Sequence, residues 1–220
     1  MLIGSVAPDF ESRNEILSAI AKSTCFIGVL PDGPNSKPIS GTAFFVLPNI
    51  LLTAGHLVPD THRKIVAQFP GTRQAVVVVN QLFRAEPRVG TFECELVETG
   101  YRNIDISVLR VKGDYQSPNC VQIERHIFPK DGPVDVIGYP GCYNENYIEL
   151  MMPGGAVDRN AINRVTSLFP KCELVISHGV VASEGHRPTY HLSTVVGMSG
   201  SPVVLNGSVA GHRPTISGNC

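Results

Sequence analysis

The chain has 220 residues, 43% of them hydrophobic, with 18 Lys and Arg against 19 Asp and Glu and a formal charge of −1. That supplies apolar material for one large core or two small ones packed together, with no basic excess for a nucleic-acid backbone. No apolar run is long enough to span a bilayer, so neither nucleic acid nor membrane is an expected partner. The N-terminus, Met1-Leu2-Ile3-Gly4-Ser5-Val6-Ala7-Pro8, has no basic flank and no sustained apolar core. It does not read as a secretory signal, so the expected location is intracellular, in the cytoplasm. Six cysteines (Cys25, Cys94, Cys120, Cys142, Cys172, Cys220) lack the close pairing of metal ligands, so zinc is not suggested.

The first element is a short helix. Ser12-Arg13-Asn14-Glu15 has the form of a capping box, and Ile16, Leu17 and Ile20 fall on one face. A helix is therefore expected to run to about Lys22 and to pack on the outside of the β-structure after it. It could also cover or regulate a site. From Thr24 the pattern turns to β. Strands are expected at 25–30, 41–47, 50–53, 64–69, 74–79, 94–98 and 106–111, with Pro31-Asp32-Gly33-Pro34 and Pro48-Asn49 as turns. Short strands at close spacing argue for an antiparallel barrel rather than a parallel sheet. Residues 112–130 have little periodicity and read as a crossover. A second β-rich half comes next, with strands at 134–138, 174–182, 189–192, 202–205 and 208–211. The pentapeptide Gly-His-Arg-Pro-Thr occurs twice, at 185–189 and 211–215, far short of a repeat architecture.

Three short stretches carry chemistry. Gly197-Met198-Ser199-Gly200-Ser201-Pro202 sets a serine between glycines, in a tight turn that presents a hydroxyl and aims backbone N–H groups in front of it. A serine nucleophile needs a histidine to take its proton and a carboxylate to hold that histidine in the right tautomer. Thr53-Ala54-Gly55-His56 comes after the apolar run Ile50-Leu51-Leu52, and Asp105 heads the apolar strand Ile106-Ser107-Val108-Leu109.

The order His, Asp, Ser in these contexts resembles the chymotrypsin-like serine proteases, most closely the branch holding the glutamyl endopeptidases and the HtrA proteases. The resemblance covers roughly 24–213 by motif. It implies an all-β fold of two antiparallel β-barrels of the chymotrypsin-like type with a short N-terminal helix. The expected division is 1–23 as helix and arm, 24–115 as first barrel, 116–132 as crossover and 133–220 as second barrel. In this reading Ser199 is the nucleophile, His56 the general base and Asp105 its orienting acid, with the backbone N–H groups of Gly197 and Ser199 as the oxyanion hole. Met198 stands where many relatives carry Asp or Asn, and it is expected to contribute only backbone. Neither a metal nor an organic cofactor is implied.

Specificity is carried over from the glutamyl endopeptidases. Tyr190-His191-Leu192-Ser193-Thr194-Val195-Val196-Gly197 is similar to the segment that lines their primary pocket, which makes Thr194 a pocket residue. Val209-Ala210-Gly211-His212-Arg213 lies where they carry a substrate-binding histidine. Alignment places Arg213 there, and a one-residue slip puts His212 there instead. Either cation suits an acidic side chain, Arg213 with a planar fork. Relatives continue past this strand with another strand and a helix, whereas the sequence stops at Cys220. The second barrel is therefore expected to be incomplete, with an open edge through which another chain could associate.

The resemblance implies a serine endopeptidase acting on polypeptide substrates through an acyl-enzyme, with a preference for an acidic or small residue before the cut. Two alternatives stand beside it: a catalytically latent protease-fold interaction domain, and an esterase-type serine hydrolase.

Overall fold

Period-two alternation places Cys25, Ile27 and Val29 on one face of a strand and Phe26 on the other, and the fold uses both faces. In the computed structural model, residues 10–33, 39–59, 61–69, 74–78, 81–85, 90–100, 104–124, 129–140, 174–183, 188–192, 197–205 and 208–212 are described. The first half holds β1 (Thr24–Pro31), β2 (Ile39–Leu47), β3 (Ile50–Ala54), β4 (His62–Phe69), β5 (Gln74–Val78), β6 (Gln81–Ala85), β7 (Gly90–Thr99) and β8 (Ile106–Val111). Six of these close into an antiparallel barrel in the order β1-β2-β3-β8-β7-β4, with β4 pairing back to β1. Its interior is filled by one set of alternating residues, among them Ile27, Ala43, Phe45, Leu51, Ile65 and Leu109, all essentially inaccessible. Tyr115, just past β8, lies against Phe45 and Phe92 and adds its ring to the same core.

The second half holds β9 (Pro133–Gly138), β10 (Val175–Ser183), β11 (Thr189–Leu192), β12 (Pro202–Leu205) and β13 (Ser208–His212). They form a sheet in the order β13-β12-β9-β10, with β11 also on β10, and this sheet is open among the described residues. Both of its faces carry buried apolar residues. Val134, Val136, Val175 and Val203 line one face, while Ile137, Ile176 and Val204 line the other, which turns toward the barrel.

The hairpin β5–β6 departs from the sequence reading. Residues 74–79 were expected in the first barrel, but β5 pairs in parallel with β10 through Val77 and Val78, so the hairpin extends the second sheet. Strand β6 was not expected at all. Its sequence, Gln-Leu-Phe-Arg-Ala, is too short to show a period, and it is specified by its ladder with β5.

Helix α1 (Phe10–Ser23) begins before Ser12, so Ser12 lies within the first turn and is not its cap. Leu17, Ile20 and Ala21, at helical spacing, are buried against Phe44 on the outside of the barrel and against Ile137, Ile176 and Val204 of the second sheet. The helix therefore packs outside the barrel, as the apolar face predicts, and also fills the seam between the two halves. It ends where the hydroxyls of Ser23 and Thr24 both donate to the Ile20 carbonyl, at 2.7 and 2.8 Å, after which β1 starts at once.

Candidate active site

Sheet register puts His56 next to Asp105. Strands β3 and β8 run antiparallel with Ala54 opposite Ile106 as the last ladder pair. One step beyond it, the Gly55 amide donates to the Asp105 carbonyl at 2.8 Å, and β3 gives way to a single 3-10 turn, Gly55–Leu57. His56 then donates twice to the same carboxylate. Its amide reaches Oδ1 at 2.8 Å, and its ring Nδ1 lies 3.0 Å from Oδ2 and 3.2 Å from Oδ1. An ionised carboxylate only accepts, so Nδ1 carries the hydrogen and Nε2 is left with a lone pair for a proton. Both side chains are partly accessible, 24% for His56 and 18% for Asp105.

Asp105 is held in a tight loop. The Gly100 carbonyl accepts from the amides of Ile104 and Asp105, at 2.9 and 3.2 Å, and the Gly100 amide returns a bond to Ile106 at 2.6 Å. This closure gives Asp105 a φ of 51°, the left-handed region that aspartate tolerates better than most residues.

Ser199 arrives from the second half on a turn flanked by two glycines of positive φ, Gly197 at 94° and Gly200 at 82°. Gly200 is needed on two counts. Beyond its conformation, a side chain there would run into the Thr42 carbonyl and come within 2.9 Å of the Ala54 amide. The turn is thus pressed onto the middle of β2 and the end of β3, two residues before His56. The Thr42 amide donates to the Ser199 carbonyl at 2.9 Å, and the Ser201 amide to Met198 at 3.1 Å. The barrel supplies the bonded pair His56 and Asp105, and the second half supplies Ser199 on a turn whose backbone packs against Thr42 and Ala54.

The Met198 side chain is wholly buried in one cluster with Val134, Val136, Val175 and Val203 of the second sheet and anchors the serine turn from below. An apolar residue inside a Gly/Ser turn was the available signal. Sequence reading also missed Thr42 and Thr53, both fully buried in apolar strands, whose hydroxyls bond backbone at this junction. Ser201 Oγ is buried with no partner among the described residues.

Of the specificity residues, Thr194 and Arg213 lie outside the described residues. His212 ends β13, with its backbone opposite Pro202, three residues after Ser199. The β12–β13 register shifts at a bulge between Val203 and Val204, leaving Ala210 extra. Among the described residues no group of three His, Cys, Asp or Glu side chains is placed to hold a metal, and no helix is long and apolar enough to cross a membrane.

A closed antiparallel barrel beside a second sheet, with a bonded His–Asp pair and a glycine-flanked serine at their junction, defines the chymotrypsin-like class of peptidase folds. The family of the trypsin-like peptidase domain matches residues 41–211. The chain belongs to that family. Comparison with the curated proteins finds no match. Among solved structures the chain is similar to Deg5, with a TM-score of 0.61 at 14% identity, over 95% of this chain and 87% of that one. It is also similar to the active form of the Rv3671c protease from M. tuberculosis, with a TM-score of 0.58 at 17% identity, over 94% and 76% of the two chains. At these identities the likeness is one of fold.

Proposed function

We propose that the chain is a serine endopeptidase in which Ser199, His56 and Asp105 act together. The observation that carries this reading is the twofold bond from His56 to Asp105, which leaves Nε2 as the free base, and it is supported by the serine turn packing against Thr42 and Ala54, two residues before His56. Ser199 Oγ attacks the peptide carbonyl while His56 Nε2 takes its proton. The backbone N–H groups of Gly197 and Ser199 bind the oxyanion, at about 3 to 4 kcal/mol each in comparable sites. His56 then returns the proton to the leaving amine, and water, activated by the same imidazole, hydrolyses the acyl-enzyme. Asp105 stays ionised throughout and stabilises the imidazolium.

A preference for an acidic or small residue before the cut is part of the proposal, with Thr194 and one of His212 or Arg213 meeting that side chain. Its support is the sequence pattern, together with the seating of β13 beside the strand that comes after Ser199. The test is cleavage of a peptide library, with products read by mass spectrometry and Ser199→Ala alongside. Internal cuts that vanish in the variant are expected, enriched after Glu, Asp or small residues. Turnover of simple esters with every peptide left intact would replace this reading with an esterase. Cuts after aromatic or basic residues would remove the specificity assignment alone.

A further inference from the structure

The serine turn has three successive carbonyls, and one residue of the opposite half takes two of them. Thr42 Oγ1 donates to Gly197 at 3.1 Å and the Thr42 amide to Ser199 at 2.9 Å, while Met198 between them is taken by the Ser201 amide. Thr42 is completely buried on β2, in the barrel. Its other groups are also engaged. The Tyr139 amide, just past β9 in the second sheet, donates to Thr42 Oγ1 at 2.8 Å, and Thr53 Oγ1 donates to the Thr42 carbonyl at 2.7 Å.

The direction of the hydroxyl is set by its partners. A backbone amide can only donate, so Oγ1 accepts from Tyr139 and its single hydrogen is committed to Gly197. The space around it is equally committed. A side chain at Gly138 would overlap Ser201 Oγ and lie 3.0 Å from Thr42 Oγ1, so the strand end can approach this closely only as glycine.

A peptide plane is rigid, with its N–H opposite its carbonyl, so a carbonyl held in place fixes the amide of the next residue. Holding Gly197 and Met198 at their carbonyls fixes both planes that flank Met198, and with them the direction of the Ser199 N–H. We propose that Thr42 is a positioning residue of the reaction: its hydroxyl locks the serine turn to the barrel and to the end of β9, so that the Ser199 N–H of the oxyanion hole is set before substrate arrives. This rests on Ser199 being the nucleophile.

Three variants test it on the full chain, each assayed well below its own unfolding transition. Thr42→Val keeps the shape and removes the hydroxyl. It is expected to slow phosphonylation of Ser199 by a fluorophosphonate about tenfold or more, and to lower kcat by a similar factor with KM within about twofold. Thr42→Ser restores the hydroxyl and is expected to label at nearly the parent rate. A purely structural role would shift the unfolding temperature and leave kcat of the folded enzyme where it was. If the valine chain does not fold, Thr42→Ser against Thr42→Cys decides, since the two are close in size and the thiol is a weak donor. A slower cysteine variant supports the proposal, and equal rates overturn it. A parent that labels alongside a folded, equally reactive Thr42→Val also overturns it, with the nucleophile reading intact. A parent that does not label removes both.

Discussion

Asp105 holds His56 at two points, the backbone amide at 2.8 Å and the ring Nδ1 at 3.0 Å, and does so from a left-handed backbone. The double attachment separates two roles that one substitution can pull apart. Asp105→Asn suits the same backbone and keeps an oxygen for the His56 amide, but its NH2 group favours the wrong imidazole tautomer. Peptidase turnover is expected to fall about a thousandfold to ten-thousandfold with little change in unfolding temperature. Asp105→Ala adds left-handed strain and leaves the amide without its side-chain partner, so it should also be destabilised, by about 1 to 3 kcal/mol in urea melts. Equal stability of the two variants would contradict this origin for the loop's conformation.

The serine turn should tolerate no side chain at Gly200. Gly200→Ala places a methyl against the Thr42 carbonyl, Thr53 Oγ1 and the Ala54 amide at a φ of 82°. Overlap and strain together predict a loss of about 3 kcal/mol or more. Gly113, also at a φ of 82° but with open space around it, provides the comparison. Gly113→Ala should cost about 1 to 2 kcal/mol, from the backbone alone. Similar losses at both sites in chemical denaturation would argue against close packing at the junction.

These contacts mark how far sequence could reach. Short β-prone runs separated by turn signals announced the barrel, and the settings of His56 and Asp105 announced the bonded pair, because local pattern and local turn chemistry carry both. Tertiary pairing was not legible. Residues 74–79 read as a strand of the first barrel by chain order, and only the parallel pairing of β5 with β10 assigns them to the second sheet. Thr42 was equally hidden, a lone polar residue in an apolar strand whose partners lie 97 and 155 positions away.

A second carboxylate–histidine pair lies in the second sheet. Asp135 and His178 face each other across β9 and β10, with Asp135 almost fully buried and His178 a third exposed, and His178 Nδ1 hydrogen-bonds Asp135 Oδ1. Removing the ring with His178→Ala should cost about 1 to 3 kcal/mol, because a buried carboxylate loses its charge-assisted bond to the imidazole. Replacing both residues with valine should recover most of that loss. A double variant no more stable than the single one, measured by thermal or urea unfolding, would contradict this.

Two thiols in the barrel core make stability depend on alkaline pH. Burial pushes Cys94 up to about 11 and holds Cys25 well above the ordinary thiol range, the latter with a smaller push from Cys94. The folded chain therefore keeps protons that the unfolded chain releases. The stability these thiols contribute is whole below about pH 8.5 and is lost as pH climbs through 11, at no more than about 1.4 kcal/mol per unit for each thiol. Urea midpoints should fall between pH 8.5 and 11, less steeply in Cys94→Ala. An equal slope in that variant would contradict the assignment.

The endopeptidase reading requires base, acid and nucleophile to be assembled in the folded chain. Intact mass after treatment with a fluorophosphonate tests this most directly, since the reagent reacts with serine only where a base and an oxyanion hole are in place. One adduct is expected, mapped to Ser199 and absent in Ser199→Ala and in His56→Ala. Folded protein that gains no mass, or gains it equally in Ser199→Ala, would contradict it.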